Sequence, residues 1–119
     1  MKGRGLPARM RFAVNGLKLA VARERSVRTH LAAVATVLAV LLATRPAPLW
    51  WAVMALTVGF VLVAELLNSA LEALADRLHP ERHPEIGAAK DIAAGAVLLA
   101  SAVAVAVGLA FLWSHVGGP

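Results

Sequence analysis

Residues 49–78 read LWWAVMALTVGFVLVAELLNSALEALADRL. Leu49 to Ala64 carries no charge, and beyond it the same helical pattern continues with acidic residues to Leu78. At 100° per residue, Glu65, Asn68, Glu72 and Asp76 fall within about 80° of one another around the helix, with Ser69 beside them. A helix that is apolar all round at one end and polar on a single face at the other crosses a bilayer and leaves it as an amphipathic rod. Counting about 1.5 Å per residue from Leu49 puts Glu65 about 24 Å into the span, several ångströms inside the boundary of a hydrocarbon core ~30 Å thick. An ionisable residue facing hydrocarbon costs ~2.5 kcal/mol or more, so this face turns toward protein or water and is a functional candidate.

The rest of the chain fits that solvent. Of 119 residues, 60% are apolar and 16% charged, too greasy for a soluble domain of this size. A first apolar run, Leu31 to Thr44, reaches spanning length when extended back to Val27. Arg45-Pro46-Ala47-Pro48 then stops the helix, because proline lacks an amide hydrogen and restricts the residue before it. Pro80 and Pro84 mark the next connection, and a third apolar helix follows from Gly87 or Lys90 to Trp113. The expected fold is an all-α membrane protein, a single domain over residues 1–119. It has a surface helix at about 8–28, spans at about 27–44, 49–78 and 87–113, and a short frayed tail from Ser114 to Pro119. Met10, Ala13, Val14, Leu17 and Val21 share one face of the first helix, which suits a position along the membrane surface. Arg11, Lys18 and Arg25 form a basic stripe beside that face, facing anionic headgroups.

The formal charge of +5 is concentrated before the first span, where Lys2, Arg4, Arg9, Arg11, Lys18, Arg23, Arg25 and Arg28 are opposed only by Glu24. The positive-inside rule therefore predicts an N-in, C-out protein of the cytoplasmic membrane. Trp50, Trp51 and Trp113 all fall at the outer interface in that topology, the usual place for interfacial tryptophan. Nucleic acid is not an expected partner, since the arm has Phe12 as its one aromatic and no base-reading motif. With no cysteine, disulfides and thiolate metal sites are excluded. No glycine-rich phosphate loop of the G-x-x-x-x-G-K-[ST] kind occurs, so a nucleotide site must be of another type.

Two further features carry chemistry. Glu24 lies seven residues after Leu17, on the arm's apolar face, where a solvated charge would not point. It pairs with Arg28 four residues on or lies at a frayed helix end, or else it meets Glu72 to make a two-carboxylate site for a hard divalent cation that bridges nucleotide phosphates. Lys90-Asp91, at the entrance to the third span, places an ammonium near a helix N-terminus whose free amides favour anions. Small residues recur every four positions at Ala35, Ala39 and Ala43 and again at Ala100, Ala104 and Gly108, a spacing that permits close helix contact and a homo-oligomer.

Glu65-Leu-Leu-Asn68-Ser69-Ala-Leu-Glu72-Ala-Leu-Ala-Asp76, followed after a short loop by Ala89-Lys90-Asp91, resembles the signature of the prokaryotic diacylglycerol kinases. The resemblance extends back through Asn15-Gly16-Leu17-Lys18, Glu24 and Arg28, and so covers the chain from about residue 9 to Trp113-Ser114-His115. It implies a homotrimer with composite sites shared between neighbouring chains. Glu65 is then the general base for a lipid hydroxyl, Glu24 and Glu72 hold the Mg2+ that accompanies ATP, and Lys90 and Asp91 contact the phosphates. Asn68 and Asp76 support the site, while Phe12, Glu81 and His83 match positions near the nucleotide. Arg28-Thr29-His30 and the segments His83-Pro84 and Ala89–Val97 look more like the Gram-positive branch, which includes undecaprenol kinases. In the proteobacterial branch the His30 position carries an acid and the Ala94 position a serine.

The function expected from this resemblance is ATP- and Mg-dependent phosphorylation of diacylglycerol to phosphatidic acid, on the cytoplasmic side of the membrane. Undecaprenol is the alternative acceptor for the same chemistry. The rival of another class is a non-enzymatic oligomeric pore or transporter subunit whose acidic stripe lines a water path. Such a path would need polar residues further out, and the outer half of every span is apolar.

Overall fold

The computed structural model describes residues 5–117, which are helical almost throughout. Lys2 and Arg4 of the basic arm, and Gly118 and Pro119, lie outside the described residues. Four helices follow one another: α1 (Leu6–Arg23), α2 (Arg25–Thr44), α3 (Pro48–Leu78) and α4 (Pro84–Leu112), and a π-helical turn at Trp113–Gly117 continues α4. Three of them, α2, α3 and α4 with its extension to His115, are long and apolar enough to cross a membrane.

The breaks between helices have local causes. Surface helix and first span were expected to meet at about residue 28, but α1 ends at Arg23 because Glu24 adopts an extended backbone (φ −106°, ψ 110°). That single residue closes one helix through its amide, which donates to the Ala20 carbonyl, and stands at the N-cap of the next. Arg28 completes the corner, since its Nη1 donates to the carbonyls of Val21 (2.8 Å) and Ala22 (3.2 Å). The guanidinium thus satisfies carbonyls that the end of α1 leaves open, which is why Arg28 is not the ion-pair partner of Glu24. At the other end of α2, Arg45 takes the left-handed conformation (φ 48°) and its amide donates to Leu41, after which Pro48 opens α3 at its first turn. His83 caps α4 by accepting from the Glu85 amide at 3.1 Å, and Pro84 follows, so this helix begins three residues before the expected Gly87.

Within the apolar spans, the hydroxyls of Thr36, Thr44 and Thr57 donate to the carbonyl four residues back at 3.0, 2.8 and 2.7 Å. Every polar hydrogen in hydrocarbon needs such a partner. The central element is α3, with α4 along it, α2 meeting it more loosely and α1 joined to α2. Ala100 is 1% exposed, and Ala104 and Gly108 are half-buried, so the small-residue stripe of α4 serves packing inside the chain. The matching stripe of α2, Ala35, Ala39 and Ala43, is exposed.

An apolar cluster of Leu41, Met54 and Phe111 joins α2, α3 and α4 at the tryptophan end of the bundle. There the Trp50 ring meets Phe111 edge-on with centroids 5.2 Å apart, and His115 stacks on Phe111 at 4.2 Å. His115 Nδ1 lies 3.0 Å from the Phe111 carbonyl oxygen. Of the tail expected to fray from Ser114, the described part to Gly117 instead continues as a helical turn, with His115 packed back on the helix. Asp76 lies about 39 Å along α3 from Trp50 at 1.5 Å per residue, so the aromatic and acidic ends of the bundle are well separated.

Candidate active site

The acidic stripe is one face in sequence but three environments in the structure. Glu65, deepest along α3, is 3% exposed. Ser69, one turn on and also buried, donates to Glu65 Oε1 at 3.3 Å. Across the helix interface, His30 Nδ1 of α2 lies 3.9 Å from Glu65 Oε2. Burying a carboxylate away from water is costly unless its oxygens find partners, and here each oxygen has one group of suitable polarity beside it.

One turn further, Asn68 Nδ2 donates to Glu72 Oε1 at 3.1 Å, and both residues are half-buried. The other end of that amide, Asn68 Oδ1, is buried without a partner among the described residues. A native orphan of this kind marks a place where a further donor belongs. Asp76, at the end of the stripe, is exposed and accepts from Lys90 Nζ at 2.7 Å. Sequence reasoning had placed Lys90 beside Asp91, its neighbour; the ammonium instead ties the start of α4 to the end of α3.

Two open clefts flank this stripe. One, of about 720 Å³, is lined by Asp76, Glu81, Arg82, His83, Lys90 and Asp91, with His79 and prolines 80 and 84. Its polar groups include two cations within one concave surface, a setting for phosphate oxygens. Glu81, His83, Lys90 and Asp91 are thus brought together around one cleft, and Asp76 joins them. The other cleft, of about 330 Å³, runs between α1 and α3 past Gly16, Leu17, Glu24, Ser69 and Ala73. Glu24 therefore shares this cleft with Leu66, Ser69, Ala70 and Ala73 of α3, and among the described residues its carboxylate has no ion pair. The Lys90 cleft is lined by residues 76–91 alone, so Phe12, exposed on α1, and Glu24 are not part of it.

Among the described residues of one chain, no three His, Asp or Glu side chains converge as a complete metal cage. Magnesium needs no such cage: it keeps several waters and binds through one or two carboxylates together with substrate phosphates. Glu24 lines the α1–α3 cleft and Glu72 does not, its carboxylate being taken up by Asn68; both are hard oxygen donors with the chemistry for that kind of site.

The family model for prokaryotic diacylglycerol kinases matches residues 11–112. The chain belongs to this family. Among its relatives, the diacylglycerol kinase of Escherichia coli K12 is 39% identical over 113 residues, covering 89% of this chain and 87% of that protein. The diacylglycerol kinase of Synechocystis is 43% identical over 100 residues, 82% of this chain and 57% of the relative. The undecaprenol kinase of Bacillus subtilis is 35% identical over 86 residues, 72% and 70% of the two chains. As a member of the diacylglycerol kinase family, the chain is a lipid kinase with three helices long and apolar enough to span a membrane, and the pore or transporter expectation gives way to that membership.

Sequence reasoning singled out every acid of the stripe but missed two contacts of this diacylglycerol kinase family member. His30 entered only as a departure from a family pattern, and its place beside Glu65 depends on how α2 is rotated against α3. The Lys90–Asp76 bond spans fourteen positions across the loop. Opposite charges flanking a Pro-bounded connection were the available signal for it.

Proposed function

We propose that this chain transfers the γ-phosphoryl group of ATP to the free hydroxyl of diacylglycerol, giving phosphatidic acid and ADP. The observation that carries this reading is the Glu65 carboxylate, nearly sealed within a membrane-spanning helix, with a hydrogen bond from Ser69 on one oxygen and the His30 ring 3.9 Å from the other. A lipid alcohol at that depth meets a proton acceptor, while the charged cleft around Lys90 lies further along the same helix pair. In the reaction the lipid oxygen bonds to the γ-phosphorus, the bond from that phosphorus to the bridging oxygen breaks, and the hydroxyl proton passes to Glu65. ADP leaves with the bridging oxygen's electrons.

Phosphoryl transfer depends chiefly on positioning and charge neutralisation. Lys90 and Arg82 neutralise phosphate oxygens, Asp76 orients Lys90, and Asn68 holds Glu72. Phe12, Glu81, His83 and Asp91 are the remaining nucleotide contacts of this reading. Mg2+ held by Glu24 and Glu72 would draw charge from the phosphates when bound. The chain works as a homotrimer with shared sites, N-in and C-out in the cytoplasmic membrane, with its site toward the cytoplasm where ATP is available. The basic arm and the tryptophan end support that orientation.

Undecaprenol is a second acceptor to test, because one relative carries the name undecaprenol kinase. Purified protein in mixed micelles with labelled ATP and magnesium, offered each lipid separately, is expected to label diacylglycerol. Labelling of undecaprenol alone would move the acceptor, and labelling of neither would overturn the reading.

A further inference from the structure

His30 has a second contact that fixes what it does to Glu65. Its Nδ1 lies 2.8 Å from the Ser26 carbonyl oxygen, one turn back on α2. A carbonyl oxygen only accepts, so Nδ1 carries a hydrogen. The same nitrogen is 3.9 Å from Glu65 Oε2, an ion-pair separation rather than a hydrogen-bond length. The imidazole is therefore anchored to the backbone of its own helix, with its N–H edge beside the carboxylate of the next. Its side chain is 24% exposed, while that of Glu65 is 4% exposed, so one member of the pair is open and the other closed. On the far side of the carboxylate, Ser69 donates to Oε1.

We propose that His30 is a positioning residue for phosphoryl transfer, setting the carboxylate of Glu65 between itself and Ser69 so that one lone pair stays aimed at the acceptor hydroxyl. The inference rests on Glu65 being the base. A glutamate has three rotatable bonds, and in an apolar span an unclamped carboxylate turns to whichever dipole is nearest. The Ser69 hydrogen bond on Oε1 and the N–H edge of a ring from another helix, 3.9 Å from Oε2, restrict that freedom. Because the ring is pinned by Ser26, its position does not depend on Glu65, which is the property a positioning group requires.

The full-length protein, assayed in mixed micelles with diacylglycerol and MgATP, tests this. His30→Ala is expected to lower kcat about tenfold or more while the KM for ATP stays unchanged. His30→Asn, whose amide N–H₂ takes the place of the Nδ1–H, is expected to regain most of the loss. Wild-type kcat in His30→Ala, or His30→Asn no faster than His30→Ala at equal melting temperature, would overturn the proposal. If the alanine variant does not assemble, His30→Leu fills the ring's volume without a donor and is read in the same way. Glu65→Gln separates the two layers of the argument. Turnover by that variant removes the base itself, whereas an inactive Glu65→Gln beside a fully active His30→Ala removes only the role of His30. In the double variant, no loss beyond Glu65→Gln alone is expected, because His30 acts through that carboxylate.

Discussion

Lys90 Nζ lies 2.7 Å from Asp76 Oδ1, joining the second turn of α4 to the last turns of α3. Both side chains are partly open to solvent, and exposed pairs contribute only about 0–1 kcal/mol to stability. The value of this bond is geometric: it holds an ammonium at a fixed place in the cleft. Lys90→Met is therefore expected to leave the melting temperature within a few degrees of wild type while raising the KM for ATP about tenfold or more. Asp76→Asn, which leaves the ammonium free to wander, is expected to raise it less. A large fall in melting temperature with unchanged KM would assign the pair to folding instead.

Glu65→Gln keeps the shape of the side chain but cannot take the hydroxyl proton. General bases contribute roughly 10²–10⁴-fold, so lipid phosphorylation should fall by at least about 10² while the variant still binds nucleotide. Titration of a fluorescent ATP analogue, run beside the turnover assay, separates the two.

Glu72→Gln removes one of two proposed magnesium oxygens and leaves Asn68 with a neutral acceptor. The magnesium concentration for half-maximal activity is expected to rise about tenfold, with less change when magnesium is saturating. An unchanged magnesium requirement would rule out Glu72 as a ligand.

Arg45 holds a left-handed backbone at φ 48°, ψ 59° at the end of α2. A side chain there costs roughly 1–2 kcal/mol, part of which glycine returns as unfolded-state entropy. Arg45→Gly is expected to stabilise the protein by up to ~1 kcal/mol and Arg45→Val to destabilise it, with neither altering turnover. Thermal melts in one detergent suffice to compare them.

The two small-residue stripes should respond differently to bulk. Ala100 is 1% exposed, so Ala100→Leu overpacks the α3–α4 seam and is expected to cost about 1–3 kcal/mol. Ala39 is exposed on α2, and Ala39→Leu should leave the single chain's helices intact. If α2 meets a neighbouring copy through that stripe, cross-linking of Ala39→Leu in detergent will show less of the proposed trimer.

The three spans could be read from the sequence because apolar runs and prolines are local signals: α3, expected at 49–78, runs from Pro48 to Leu78. The acidic stripe was legible for the same reason, since helical periodicity is a property of one element. What sequence could not supply was the rotation of one helix against another. That rotation decides that Glu65 is sealed beside His30 while Asp76, on the same face, is open beside Lys90. The corner at Glu24 was hidden for a different reason. Nothing at that position disfavours a helix, and the break depends on Arg28 reaching back to the Val21 and Ala22 carbonyls.

Only 11–17% of each apolar window is buried within the chain, and residues such as Leu56 and Leu98 point almost wholly outward. Most of the surface that must avoid water is therefore covered by something other than this polypeptide. A denaturation midpoint measured on such a molecule belongs to the mixture around it: it should climb with the protein-to-detergent ratio and shift with acyl-chain length. Comparisons between variants are meaningful only at one fixed composition of that mixture.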